Sequence, residues 1–65
     1  ISSLGEQQSA LRSVETLIRN HPDHAEAWHL AGKFQKELGN NDAADFALRK
    51  CLALQPDHAG ARGLL

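Results

Sequence analysis

The chain has 65 residues and a formal net charge of −1, with seven Lys and Arg spread among eight carboxylates. That length holds one small domain, which buries roughly 60% of the surface its unfolded chain exposes, so stability is marginal unless a staple or a neighbour helps. The dispersed charge excludes a polyanion-binding surface, no apolar run approaches the ~20 residues that span a bilayer, and the lone Cys51 excludes an internal disulfide.

The opening ISSLGEQQ has no basic segment followed by an apolar one, the pattern of a secretory leader. With Ile rather than Met at position 1, a processed product or a piece of something longer is expected. The first predicted helix runs from Glu6 to Arg19, where Leu11, Val14 and Ile18 recur at helical spacing. Pro22 closes it, because proline lacks an N–H and disfavours helix in the residue before it. Asp23 followed by Glu26 has the spacing of a capping box, and opens a second helix from about His24 to Leu38 with Ala27, Ala31, Phe34 and Leu38 on one stripe. Gly39 stands where a left-handed C-cap belongs, and Asn40, Asn41 and Asp42 supply a turn and an N-cap for a third helix, Asp42 to Leu54. That helix carries Ala44, Leu48, Cys51 and Leu52 on its apolar side. Pro56 and Asp57 then repeat the punctuation, and a fourth helix starts near His58 and runs to Leu65.

The repetition is literal. HPDHAEAW, starting at His21, returns as QPDHAGAR at Gln55, so Pro22 and Pro56 stand 34 residues apart. The same offset pairs Leu4 with Leu38, Gly5 with Gly39, Ala10 with Ala44 and Leu30 with Leu64, and Val14, Leu17 and Ile18 with Leu48, Cys51 and Leu52. A fixed period of this size marks a helical array in which each unit packs on its neighbours.

The stretch AEAWHLAGKFQKELGNNDAADFALRKCLALQPDH resembles a tetratricopeptide repeat, with Trp28, Gly32, Gly39, Ala44 and Pro56 at the motif positions. It departs from the pattern at Ala31, Gln35 and Leu48, where a Leu, an aromatic and a Tyr or Phe are usual. The resemblance implies an all-α fold of antiparallel helix-turn-helix units, three helices plus a partial fourth. Residues 1–24 would hold the second helix of a preceding repeat, 25–58 a complete repeat and 59–65 the start of the next. It also implies a structural core of Val14, Leu17, Trp28, Gly32, Phe34, Ala44, Leu48, Cys51, Leu52 and Pro56. Independently of the family, Gly32 and Ala44 are small enough to let two helices approach at the near end of the usual interaxial range.

Several residue types carry chemistry of their own. His21, His24, His29 and His58 suggest a metal, but zinc needs three or four ligands converging on one point; His21 and His24 straddle a helix break and His58 lies one unit away, so they read as turn residues and no metal or cofactor is expected. Cys51 shares a stripe with Leu48 and Leu52 and reads as a buried thiol rather than a nucleophile. Ser2, Ser3, Ser9 and Ser13 lie in no nucleophile elbow, and no acid, base and pocket assemble, so catalysis is not expected. Trp28 with Lys33 and Lys36 falls short of the several aromatics and positive groove of a single-strand binder. Glu26, His29, Lys33 and Lys36 step by three and four along the polar side of the second helix, and the resemblance puts them, with Glu37, in a concave groove. His29 and Lys33 sit where some family members carry basic residues that hold a peptide's terminal carboxylate.

The expected function is therefore a protein-interaction module that binds a protein or peptide, not nucleic acid or membrane. A unit count below two predicts self-association, with Leu11, Val14 and Ile18 at one end and Leu64 and Leu65 at the other covered by another copy. Two alternatives remain at this level: a substrate-recruiting segment of a transferase-type enzyme, and a structural self-assembly element. The single thiol is compatible with a cytoplasmic home.

Overall fold

The computed structural model describes residues 3–65; Ile1 and Ser2, the start of the segment assigned to a preceding repeat, lie outside the described residues. Four helices account for nearly all of it: α1 (Ser3–Asn20), α2 (Ala25–Glu37), α3 (Asn41–Leu54) and α4 (Ala59–Leu64). None is long and apolar enough to cross a membrane.

The helix ends follow from local chemistry, with one correction to the sequence reading. Asp23 does not cap α2. The N-cap is His24, whose Nδ1 accepts the Ala27 N–H at 3.2 Å. The same device opens α4, where His58 Nδ1 accepts the Ala61 N–H at 3.1 Å. An imidazole nitrogen with a free lone pair can do what a Ser or Asp oxygen does at this position, which satisfies one of the orphan N–H groups of the first turn. Glu26 is thereby released from the capping role and turns to other partners. At the far end of α2 the chain closes in a Schellman motif: Gly39, at φ 87°, donates its N–H to the Lys36 carbonyl, and Asn40 donates to the Gln35 carbonyl. Asn40 is the N-cap of α3, but its side chain makes no capping bond; Nδ2 donates to Gln35 Oε1 at 2.8 Å instead, tying the turn back to α2.

α2 and α3 form an antiparallel hairpin whose closeness is set at Gly32. A Cβ built there would lie 2.6 Å from Leu48 Cγ, 2.7 Å from Leu48 Cδ2 and 3.2 Å from the Ala44 carbonyl oxygen. Leu48 and Cys51 are fully buried and Ala44 nearly so. α1 packs antiparallel on α2, and α4 packs on α3 and α2. Contacts at both ends fix the direction of α4: His58 meets Glu26 at the start of α2, and Leu64 meets Lys36 at its end. Alternate helices are therefore parallel and side by side, the arrangement by which helix pairs stack into a solenoid.

The apolar interior is divided between the two junctions. Leu11, Val14, Ala27, Ala31 and Ala47 are buried where α1, α2 and α3 meet, with Leu17, Ile18 and Phe34 packed against them. Ala25, Leu48, Cys51 and Ala61 are buried where α2, α3 and α4 meet, backed by Leu52 and Leu64. Trp28 touches both groups; its Nε1–H donates to the Pro22 carbonyl at 2.8 Å and its ring meets Phe46 edge-on at 6.1 Å. Two expectations are corrected. Pro56 is exposed, since it lies in the α3–α4 turn and acts through its fixed dihedral rather than through packing. Leu11 and Val14, expected to need cover from another copy, already have it from α2; the large apolar side chains exposed among the described residues are Phe46, Leu54 and Leu65.

The Gly32–Leu48 contact sets a measurable balance. Gly32→Val should destabilise the chain by about 2 kcal/mol through overpacking, although Gly itself costs roughly 1 kcal/mol in a helix interior. In a cycle of Gly32→Ala, Leu48→Ala and the double variant, removal of the Leu48 side chain should relieve the clash of the methyl group added at position 32, giving a coupling of at least ~0.5 kcal/mol by urea denaturation. Strictly additive losses would mean that the two positions do not meet.

Candidate functional site

The polar side of α2 stands beside α4, and the five groove residues named from the sequence have different fates there. Glu26 is half-exposed and reaches across the joint: its Oε2 accepts from His58 Nε2 at 2.9 Å, and its Oε1 lies 3.3 Å from His29 Nδ1. Both imidazoles are largely covered, and their rings sit 4.7 Å apart at 48°. The cap fixes the tautomer of His58. With Nδ1 accepting from Ala61, the ring proton of the neutral form belongs on Nε2, where it is donated to Glu26.

Lys36 also crosses to α4, where its Nζ donates to the Leu64 carbonyl oxygen, a favourable place for a cation beside the last turn of a helix. Lys33 lies between these two crossings, exposed, and no described carboxylate pairs with it. Glu37 is not gathered with the others: its Oε2 accepts from Gln7 Nε2 of α1 at 2.9 Å, on the opposite edge of α2. The outward side of α2 thus carries a clasped carboxylate at one end, an ammonium with no carboxylate partner among the described residues in the middle, and a lysine fastened to the neighbouring helix at the other.

His58 and Gly60 belong to this neighbourhood; the sequence reading weighs His58 and sets it aside as lying one unit away, and it does not single out Gly60. The repeated Pro-Asp-His-Ala is the available signal, because parallel stacking of units brings the first residue of one unit beside the first turn of the previous one. His21 and His24 take no part in the cluster; His24 is occupied as a cap. Among the described residues, Glu26, His29 and His58 are the group that gathers.

The electrostatics follow from these contacts. The hydrogen bond from His58, supported by the one from His29, holds the Glu26 carboxyl below its ordinary value, against the opposing effect of partial burial. Burial pushes the Cys51 thiol up, and the nearby Glu26 charge pushes the same way, so Cys51 is a protonated core side chain.

On the other side of α2, a cleft of about 340 Å³ opens between α1 and α3. Trp28, Ala31 and Gln35 form its floor, with Glu15 and Ile18 on one wall and Ala43, Phe46 and Ala47 on the other. Trp28 is accounted for by this packing and by its bond to Pro22.

Paired antiparallel helices with parallel neighbours, divided interiors and a polar outer face define a helical-repeat module. Residues 25–58 match the tetratricopeptide repeat family. The PEX5-related protein of rat is 44% identical over 48 residues, covering 74% of this chain and 8% of that relative. The human PEX5-related protein gives the same identity and coverage, and the human FK506-binding protein-like is 34% identical over 59 residues, covering 91% of this chain and 17% of its own length. No solved structure matches the chain. The chain belongs to the tetratricopeptide repeat family, whose repeats are in general non-catalytic protein-interaction units. It spans less than a fifth of the length of these relatives.

Two outcomes test the site's chemistry. Because the folded Glu26 carboxyl titrates below the ordinary 4.5, the clasp adds stability that is complete above that value and disappears as pH falls through the lowered folded one. The melting temperature of the chain should accordingly drop more steeply below pH 4.5 than that of Glu26→Gln; parallel curves would uncouple this carboxylate from folding. Cys51 should react with a thiol reagent roughly 100-fold more slowly in native buffer than in denaturant, and equal rates would place it at the surface.

Proposed function

We propose that the outer face of α2, with Glu26, His29, Lys33, Lys36 and Glu37, forms part of a concave groove that receives a peptide or helix of a partner protein. In this reading α1 is the second helix of a preceding repeat and α4 opens the following one, so the groove continues on either side of α2. The observation that carries it is Lys33: an exposed ammonium without a described carboxylate partner, flanked by residues that are already fastened across the joint. A cation left free between two fixed points is suited to meet an acidic side chain or a terminal carboxylate, and it would act mainly on specificity and encounter rate. Self-association is part of the same proposal, with the exposed Leu54 at the end of α3 and Leu65 just past α4 as the surface a second copy would cover.

A fluorescent decapeptide rich in Asp and Glu with a free terminal carboxylate is the probe. Anisotropy should show saturable binding that weakens about tenfold in Lys33→Glu and falls with added salt. Sedimentation of the same variant and of Leu65→Asp would separate the two surfaces: Leu65→Asp should shift the chain toward monomer, and Lys33→Glu should not. Equal binding of acidic and neutral peptides, unchanged in Lys33→Glu, would sink the groove reading.

A further inference from the structure

We propose that Glu26, His29 and His58 form a site for a divalent transition metal ion of the Zn²⁺ type, seated at the joint between α2 and α4. Each of the three offers one ligand atom, and these atoms lie within 4.8 Å of one another. Zinc bonds of about 2.0–2.2 Å to imidazole nitrogen and carboxylate oxygen set ligand atoms roughly 3.4 Å apart in a tetrahedron, so the group needs side-chain shifts of about 1 Å to close on an ion.

Three features prepare it. The imidazoles are covered, with side chains 16% and 13% exposed, and are therefore held near the ligating arrangement; Glu26, at 54%, leaves the solvent side open for a water in the fourth position. Gly60 packs against both rings, and a Cβ there would stand 2.9 Å from His29 Nε2 and 3.1 Å from His58 Cε1, so any larger residue would pry them apart. Finally, two imidazoles with one carboxylate suit Zn²⁺, Co²⁺ or Ni²⁺, whereas Mg²⁺ and Ca²⁺ call for oxygen-rich shells.

Coordination has a cost that is visible at one amide. His58 now carries its proton on Nε2, the nitrogen facing Glu26. An ion can bind Nε2 only after that nitrogen gives up its proton, so in the neutral ring the proton moves to Nδ1, Nε2 offers its freed lone pair to the ion, and the Ala61 N–H loses its acceptor. Binding thus exchanges the α4 cap for a metal cross-link between two units, and it leaves a mark on Ala61 that surface adsorption would not.

The test is calorimetric titration of the 65-residue chain with Zn²⁺, visible absorption with Co²⁺, and the amide spectrum of the ¹⁵N-labelled chain. One ion should bind per chain, a hundredfold excess over Kd should raise the melting temperature by on the order of 10 °C, and the Ala61 amide should shift and exchange faster. His29→Gln and His58→Asn should each weaken binding at least about tenfold; Asn keeps a cap acceptor at position 58, so this variant retains the helix start. His21→Gln, in the exposed α1–α2 turn, should bind as the parent does, and Mg²⁺ should not compete. Absence of saturable binding, binding indifferent to His29 and His58, or an unmoved Ala61 amide would overturn the site and leave Glu26 as a hydrogen-bonding clasp alone.

Discussion

The close approach of the α-carbon of Gly32 to the side chain of Leu48 is the constraint around which the other contacts are arranged. A single methyl group at position 32 would overlap both Leu48 Cγ and Cδ2. Since Leu48 is wholly enclosed, it has nowhere to retreat. The contact brings α2 and α3 together along their length and places Ala44 and Cys51 in the same interior. Once that hairpin is closed, α1 and α4 have one shelf each to rest on, and the polar side of α2 is left facing outward beside α4.

The interior this produces is unusual in its materials. Six of the ten buried apolar residues among those described are alanines, which contribute little transfer free energy each but allow backbones to come close. The bulkier side chains Trp28, Phe34, Leu52 and Leu64 lie at the margins, partly covered. Stability in such a design comes from helix proximity and from the number of neighbours rather than from a filled centre, in keeping with units that rely on stacking.

Much of this is legible in the residues. The four helices, their period and the left-handed glycine at position 39 all follow from apolar spacing and punctuation, because these are properties of a single element. Properties of pairs of elements are not legible in that way. Asp23 is the expected cap because Asp is a frequent N-cap and His is not, yet the backbone places His24 Nδ1 at the Ala27 N–H. Glu37 steps with Lys33 along α2, but its donor is on α1. Leu11 and Val14 call for an outside partner only as long as one helix is read alone, because a stripe does not say which neighbour already covers it. The meeting of Glu26 with His58 joins residues 32 apart in sequence, and its signal is the echo of Pro-Asp-His-Ala, which names equivalent positions without saying what stands beside them.

The echo is also imperfect in an informative way. Shifted by one unit, Glu26 falls on Gly60 and His29 on Gly63. Where α2 offers His58 a carboxylate and a second ring, α4 carries only the hydrogen atoms of two glycines at the equivalent positions. The Glu26–His29 pair that receives His58 on α2 thus has no counterpart on α4, although the two helices open with the same cap. A change in protonation at this joint would therefore act on the start of α4 and leave the start of α2, capped by His24, as it is.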